Sequence, residues 1–206
     1  MGKLVAVIDY GLGNLRSVSR ALESVGGCAD VTGDPARLSK AHGLVMPGVG
    51  AFYHGIRNIR DLNLVDAIRE NINEGKPFLG ICLGLQLLFT ETEEHGRHKG
   101  LNIIKGKVLK FPAGPKIPHM GWNSVRLEPD NPAARLFMGI PDGSYFYFVH
   151  SYYVQPENAD VIAARTEYGI EFVAAVARDN VYATQFHPEK SSTLGLKVME
   201  NFVSLC

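Results

Sequence analysis

Cys82 stands between two glycines in Gly80-Ile81-Cys82-Leu83-Gly84, where the apolar run Pro77–Ile81 gives way to a helical one, Leu85–Phe89. A nucleophile flanked in this way marks a sharp strand-to-helix turn that presents one side chain and leaves backbone N–H groups free beside it. The two glycines predict close approach of strand and helix, and the helix dipole favours the thiolate form of a cysteine placed there. Phe186-His187-Pro188-Glu189 supplies an imidazole with a carboxylate two residues on. To cleave an amide, a thiolate also needs a proton shuttle and an oxyanion site. His187 suits the shuttle, and Glu189, reached through an extended segment stiffened by Pro188, can hold the far ring nitrogen. Met46-Pro47-Gly48-Val49-Gly50 ends a second apolar run in a glycine-rich turn. Loops at the carboxyl ends of parallel strands share one rim, so Gly48, Val49, Gly50 and Leu83 are the expected oxyanion loop residues.

The elements needed to hold these groups are readable in the first half of the chain. Lys3–Asp9, Cys28–Thr32, Gly43–Met46 and Phe78–Ile81 are apolar runs of strand length. Between them, Asn14–Val25 and Leu64–Asn73 place apolar residues at helical spacing and end at Gly26-Gly27 and Gly75. Alternating strands and helices predict an α/β fold with a parallel sheet covered on both faces. Further on, Val108–Lys110, Tyr145–Val154, Val161–Arg165, Phe172–Ala177 and Val181–Gln185 follow one another through short turns, and Thr193–Leu205 closes the chain as a helix. They predict an antiparallel extension of the same open twisted sheet. Pro112–Pro118 is a Pro/Gly-rich loop, and no long linker or repeat divides the 206 residues, so one domain over 1–206 is expected.

Lys plus Arg and Asp plus Glu both number 21, so no overall field draws the chain to nucleic acid or to a membrane surface. No apolar stretch reaches the roughly 18–20 residues of a membrane span. The three cysteines, Cys28, Cys82 and Cys206, form no C-x-x-C pair, which suits a reducing cytoplasm better than a disulfide framework. His95 and His98 lie three apart without further ligands, so no metal site is expected. They and His42, His54, His119 and His150 are assigned surface or structural roles. Gly11-Leu12-Gly13 is not a dinucleotide loop, because Arg16 takes the third glycine position. Tyr145-Phe146-Tyr147-Phe148 is read as core packing.

Taken together, Gly80–Gln86, Phe186–Glu189 and Pro47–Gly50 resemble the class I, triad-type, glutamine amidotransferase family over essentially the whole chain. Tyr10-Gly11-Leu12-Gly13-Asn14, Pro47-Gly48-Val49-Gly50 and Pro118-His119-Met120-Gly121-Trp122-Asn123 are most similar to the branch formed by the glutaminase subunits of imidazole glycerol phosphate synthases. The resemblance implies that Cys82, His187 and Glu189 hydrolyse L-glutamine to glutamate through a thioester. It implies that Gly50, Leu83, Gln86, Glu94, Ser151 and Tyr152 hold the substrate, Glu94 pairing with its ammonium group. No cofactor is implied. Ammonia would pass to a (β/α)8-barrel cyclase subunit, in a heterodimer docked through Asn14, Arg16, Trp122, Tyr147 and Lys190. The absence of a phosphate loop or basic cluster in this sequence agrees with acceptor chemistry on a second chain. Val49, without the freedom of its glycine neighbours, is the expected pivot of a peptide rotation coupling the oxyanion site to the partner.

Three other readings stay open at this level. The first is the glutaminase of another ammonia-channelling synthase, such as that for pyridoxal phosphate, which lacks the Pro118–Asn123 signature. The second is a scaffold subunit, against which the intact triad residues speak. The third is a cysteine peptidase or related hydrolase with the same nucleophile.

Overall fold

The computed structural model describes residues 2–114, 116–128, 131 and 134–206; Pro115 of the Pro112–Pro118 loop lies outside them. The first half runs β1 (Leu4–Ile8), α1 (Leu15–Ser24), β2 (Cys28–Thr32), α2 (Pro35–Leu38), β3 (Gly43–Gly48), α3 (Phe52–Asp61), α4 (Leu64–Asn73), β4 (Phe78–Cys82) and α5 (Leu83–Leu87). The second half begins with β5 (Glu91–Thr92), β6 (His98–Lys99), β7 (Gly106–Lys110) and β8 (His119–Leu127). It continues with β9 (Ser144–His150), β10 (Tyr152–Pro156), β11 (Ile162–Glu167), β12 (Glu171–Arg178), β13 (Val181–Thr184) and α6 (Ser192–Leu205).

Among the described residues the main sheet has nine strands in the order β2-β1-β3-β4-β13-β12-β11-β8-β9. It is parallel from β2 to β13 and antiparallel from β13 to β9. The strands serve both faces because side-chain direction alternates along them. In β1, Val5 and Val7 pack with α1 and α6, whereas Ala6 and Ile8 pack with α3, α4 and α5. Each fully buried Val or Ile contributes about 1.5–3 kcal/mol, so every central strand is held from both sides. No helix among the described residues is long and apolar enough to cross a membrane.

Three expectations are corrected. Tyr145–Val154 is not one strand: the chain turns at Ser151, sending β9 to the edge of the main sheet and β10 into a second, four-stranded sheet, β10-β7-β5-β6. Val108–Lys110, within β7, therefore does not extend the main sheet. Nor is Tyr145–Phe148 uniformly core. Phe146 and Phe148 are buried, but Tyr145 and Tyr147 point to the opposite face, and Tyr145 is 59% exposed. Five elements have no counterpart among the expectations from sequence: α2, α3, β5, β6 and the nine-residue β8.

Candidate active site

Cys82 ends β4 and precedes α5 directly, with φ 55° and ψ −104°, a backbone conformation that L-residues rarely adopt. The turn is tight because the helix lies against the strands behind it. A Cβ on Gly84 would fall 1.9 Å from the carbonyl oxygen of Met46 in β3, and one on Gly80 would fall 2.8 Å from that of Gly84. No side chain fits at position 84 without moving β3 or α5.

β3, β4 and β13 are neighbours, and their carboxyl ends carry the Val49 loop, Cys82 and the segment leading to His187. Gly48 pairs with Cys82 in the β3–β4 ladder, so the loop after β3 leaves the sheet beside the sulfur. His187 and Glu189 are brought together as expected, with Nδ1 2.8 Å from Oε1 and both side chains 1% exposed. The connection differs from expectation: Pro188–Lys190 form a turn of 3-10 helix, and the carboxylate folds back to the ring. The hydroxyl of Ser191 secures that turn by donating to the His187 carbonyl at 2.7 Å and accepting from the Tyr147 N–H at 2.9 Å.

The Nε2 atom of His187 is buried and makes no well-formed hydrogen bond with a described residue. Cys82 is nevertheless close enough to act on its proton affinity. Burial lowers that affinity, but hydrogen bonding to Cys82 and Glu189, and then their negative charges, outweigh it and push the pKa up to about 10. The ring is thus prepared to hold a proton beside Cys82.

A cavity of about 540 Å³ opens over Cys82, which is 5% exposed. Val49, Gly50, Leu83, Gln86, Glu94, Ser151 and Tyr152 all line it, so these expected residues meet there; Gly48 lies behind, against the hydroxyl of Tyr10. Glu94 is not a solvated loop carboxylate. It is 8% exposed and accepts the Phe52 N–H at 2.6 Å, capping α3 from 42 residues away. Burial, and then the charge of Glu94, raises the pKa of the Tyr152 phenol.

Several residues of the site carried no sequence signal. Gln185 is fully buried; its Nε2 donates to the Cys82 sulfur at 3.7 Å and its Oε1 accepts from Gln86 at 3.3 Å. Gln86 also donates to the Tyr152 carbonyl at 3.1 Å, to which the Nδ1 of His150 donates at 2.8 Å. This bond fixes the His150 tautomer, leaving Nε2 to accept from the Nδ1 of His119 at 3.0 Å. Burial drives the pKa of both rings down, to about 4 for His119 and about 3 for His150, so the pair is neutral. His119 and His150 are therefore structural, as expected, but they support the pocket wall. Lys110, Ile117, Pro118, His95 and Val149 complete the lining.

The residues expected at a docking face divide into two groups. Trp122 and Tyr147 pair across β8–β9 with ring centroids 6.3 Å apart, and Lys190 places Nζ 5.9 Å from the Tyr147 ring centroid. Met120, 63% exposed, and Trp122, 52% exposed, share the strand face that also presents Tyr147. Asn14 and Arg16 lie at the start of α1, Asn14 half-buried and Arg16 exposed.

Residues 6–205 match the family model described as glutamine amidotransferase class-I. The "Imidazole glycerol phosphate synthase subunit HisH" of Syntrophotalea carbinolica is 52% identical over 206 residues, covering 97% of this chain and 98% of that protein. The protein of the same name from Aquifex aeolicus is 53% identical over 197 residues, covering 95% and 94%. A chain of the Thermotoga maritima PurLQS structure superposes with a TM-score of 0.77 over 99% of both chains at 20% identity, a likeness of fold.

Proposed function

The chain belongs to the class-I glutamine amidotransferase family, and from that premise we propose that Cys82, His187 and Glu189 are the groups that hydrolyse glutamine in it. It is the glutaminase subunit of an imidazole glycerol phosphate synthase, acting in histidine biosynthesis. It releases ammonia from L-glutamine for a (β/α)8 cyclase partner. The cyclase converts N'-(phosphoribulosyl)formimino-AICAR to imidazole glycerol phosphate and AICAR.

The observation that carries the catalytic assignment is the placement of a strained, positive-φ cysteine on the floor of a cavity, beside an imidazole clamped by a buried carboxylate. The thiolate of Cys82 attacks the side-chain amide carbon, and the resulting oxyanion is met by backbone N–H groups of the Val49 loop and Leu83. His187 gives its proton to the departing nitrogen, so ammonia leaves and a glutamyl thioester remains. Water, deprotonated by the now neutral ring, attacks the thioester carbon; the sulfur leaves as thiolate and glutamate is released. Glu189 holds the ring in the productive tautomer throughout. Gln86, Glu94, Ser151 and Tyr152 form the substrate pocket, with Glu94 facing the substrate ammonium.

The whole of 1–206 works as one glutaminase domain, and three cysteines left free of disulfides support a reducing, cytoplasmic setting for it. Trp122, Tyr147 and Lys190, with Asn14 and Arg16, dock the cyclase next to the triad. Rotation of the Val49 peptide makes glutamine hydrolysis weak in the isolated chain and strong when the cyclase holds its ligand. In the complex, Cys82→Ala abolishes glutamine-dependent synthesis, by more than about a thousandfold, and leaves ammonia-dependent synthesis intact. Survival of both activities in an assay of imidazole glycerol phosphate formation would remove Cys82 as the nucleophile.

A further inference from the structure

We propose that Lys110 binds the α-carboxylate of the substrate and so selects free glutamine over other primary amides; this rests on the glutamine-hydrolysing reading of the site. Free glutamine at neutral pH is a zwitterion, so its head group presents one positive and one negative charge. The cavity residues assigned to the substrate include an anion, Glu94, but no cation. Lys110 lines the same cavity and brings an ammonium group, a donor with no acceptor capacity, to it.

The strand ladders place Lys110 where the head group belongs. It pairs directly with Tyr152 across β7–β10, and both side chains face the cavity, as residues opposed in an antiparallel ladder must. On the other side of β7, Thr92 pairs with Val108. Glu94 lies two residues beyond Thr92 and Lys110 two beyond Val108, so both leave the β5–β7 ladder at the same end. Glu94 is already held by the Phe52 N–H, and no ion pair joins it to Lys110. The contrast with Lys107, whose ammonium lies 3.6 Å from Glu91 in the same ladder, is instructive. The ammonium of Lys110 makes no hydrogen bond or ion pair with any described residue. Two opposite charges at one end of the pocket, unjoined, match the two ends of an amino-acid head group, while the side-chain amide extends toward Cys82.

The contact lies on the part of glutamine that does not react, so it should strengthen binding equally in ground and transition states. Its loss then raises KM and spares kcat. The test uses the complex with cyclase and its nucleotide ligand, comparing the unaltered chain with Lys110→Met and Lys110→Arg. Glutamine is the substrate, and 4-aminobutanamide, which is glutamine without its α-carboxylate, is the competitor. For a solvent-open charge-assisted contact, Lys110→Met raises KM for glutamine roughly three- to tenfold with kcat within about twofold. The Ki of 4-aminobutanamide stays unchanged, and Lys110→Arg restores most of the affinity. An unchanged KM, or an equal loss of affinity for both compounds, overturns the assignment. If the unaltered complex releases no ammonia from glutamine, the functional reading itself fails, which is a distinct outcome.

Discussion

The hydroxyl of Tyr10 donates to the carbonyl of Pro47 at 2.7 Å, and its oxygen stands 2.4 Å from where a Cβ on Gly48 would lie. The loop after β1 is thereby bolted to the strand that delivers the Val49 loop. Tyr10 is fully buried, and burial followed by the charge of Cys82 raises its pKa far above the ordinary phenol range. It is a neutral donor at any working pH.

Tyr10→Phe leaves the Pro47 carbonyl without that donor. An unsatisfied buried acceptor costs about 1–3 kcal/mol, which a urea titration should report as a lower midpoint with unchanged slope. Glutaminase activity should fall with it, because the loop loses its anchor. Full stability in Tyr10→Phe would mean that the hydroxyl carries no structural weight.

Gly84→Ala tests the tightness of the elbow. Its methyl group would overlap the Met46 carbonyl, and relief requires α5 to move away from β3. We expect a loss of about 1–3 kcal/mol from overpacking and a larger proportional loss of kcat, since Cys82 moves with the helix. Retention of full activity at wild-type stability would refute the close-packing account.

The pH response belongs to His187. A folded pKa raised from 6.5 to about 10 means that its contribution to stability is fully present below about pH 6.5 and is lost as pH rises toward 10. Glu189→Gln removes a charge that helps raise it, so the titration midpoint of the His187 ring, followed by NMR, should move down. An identical midpoint in the variant would show that Glu189 does not set the ring's proton affinity.

Trp122→Ala should weaken cyclase binding by at least about 2 kcal/mol, near thirtyfold in Kd, as expected for an aromatic anchor at the centre of an interface. Titration calorimetry measures it. Because Trp122 is 52% exposed, thermal stability of the free chain should barely change. A Kd within twofold of wild type would exclude this strand face as the docking surface.

Local patterns made much of this legible in the sequence. The elbow, the proposed triad residues and the parallel half of the sheet are all encoded within short windows, and Leu64–Asn73 coincides with α4. What escaped has physical causes. Helix α3 begins at Ala51-Phe52 with no capping side chain nearby, its first free N–H being met by Glu94 from a different strand region. β8 alternates poorly, because one side carries Met120 and Trp122 to the surface while the other buries the polar His119. The turn at Ser151 separates two apolar segments whose pattern looks continuous. Gln185 is two residues before His187, yet only the fold shows that its amide reaches the sulfur.

The proposed oxyanion loop, nucleophile and base come from three adjoining parallel strands, in the pairings Gly48 with Cys82 and Thr184 with Ile81. Sliding either ladder by one residue would invert which face each side chain serves, separating the sulfur from the imidazole without altering a single amino acid. Transplanting this chemistry into another scaffold therefore demands copying the phase between neighbouring strands before copying any side chain.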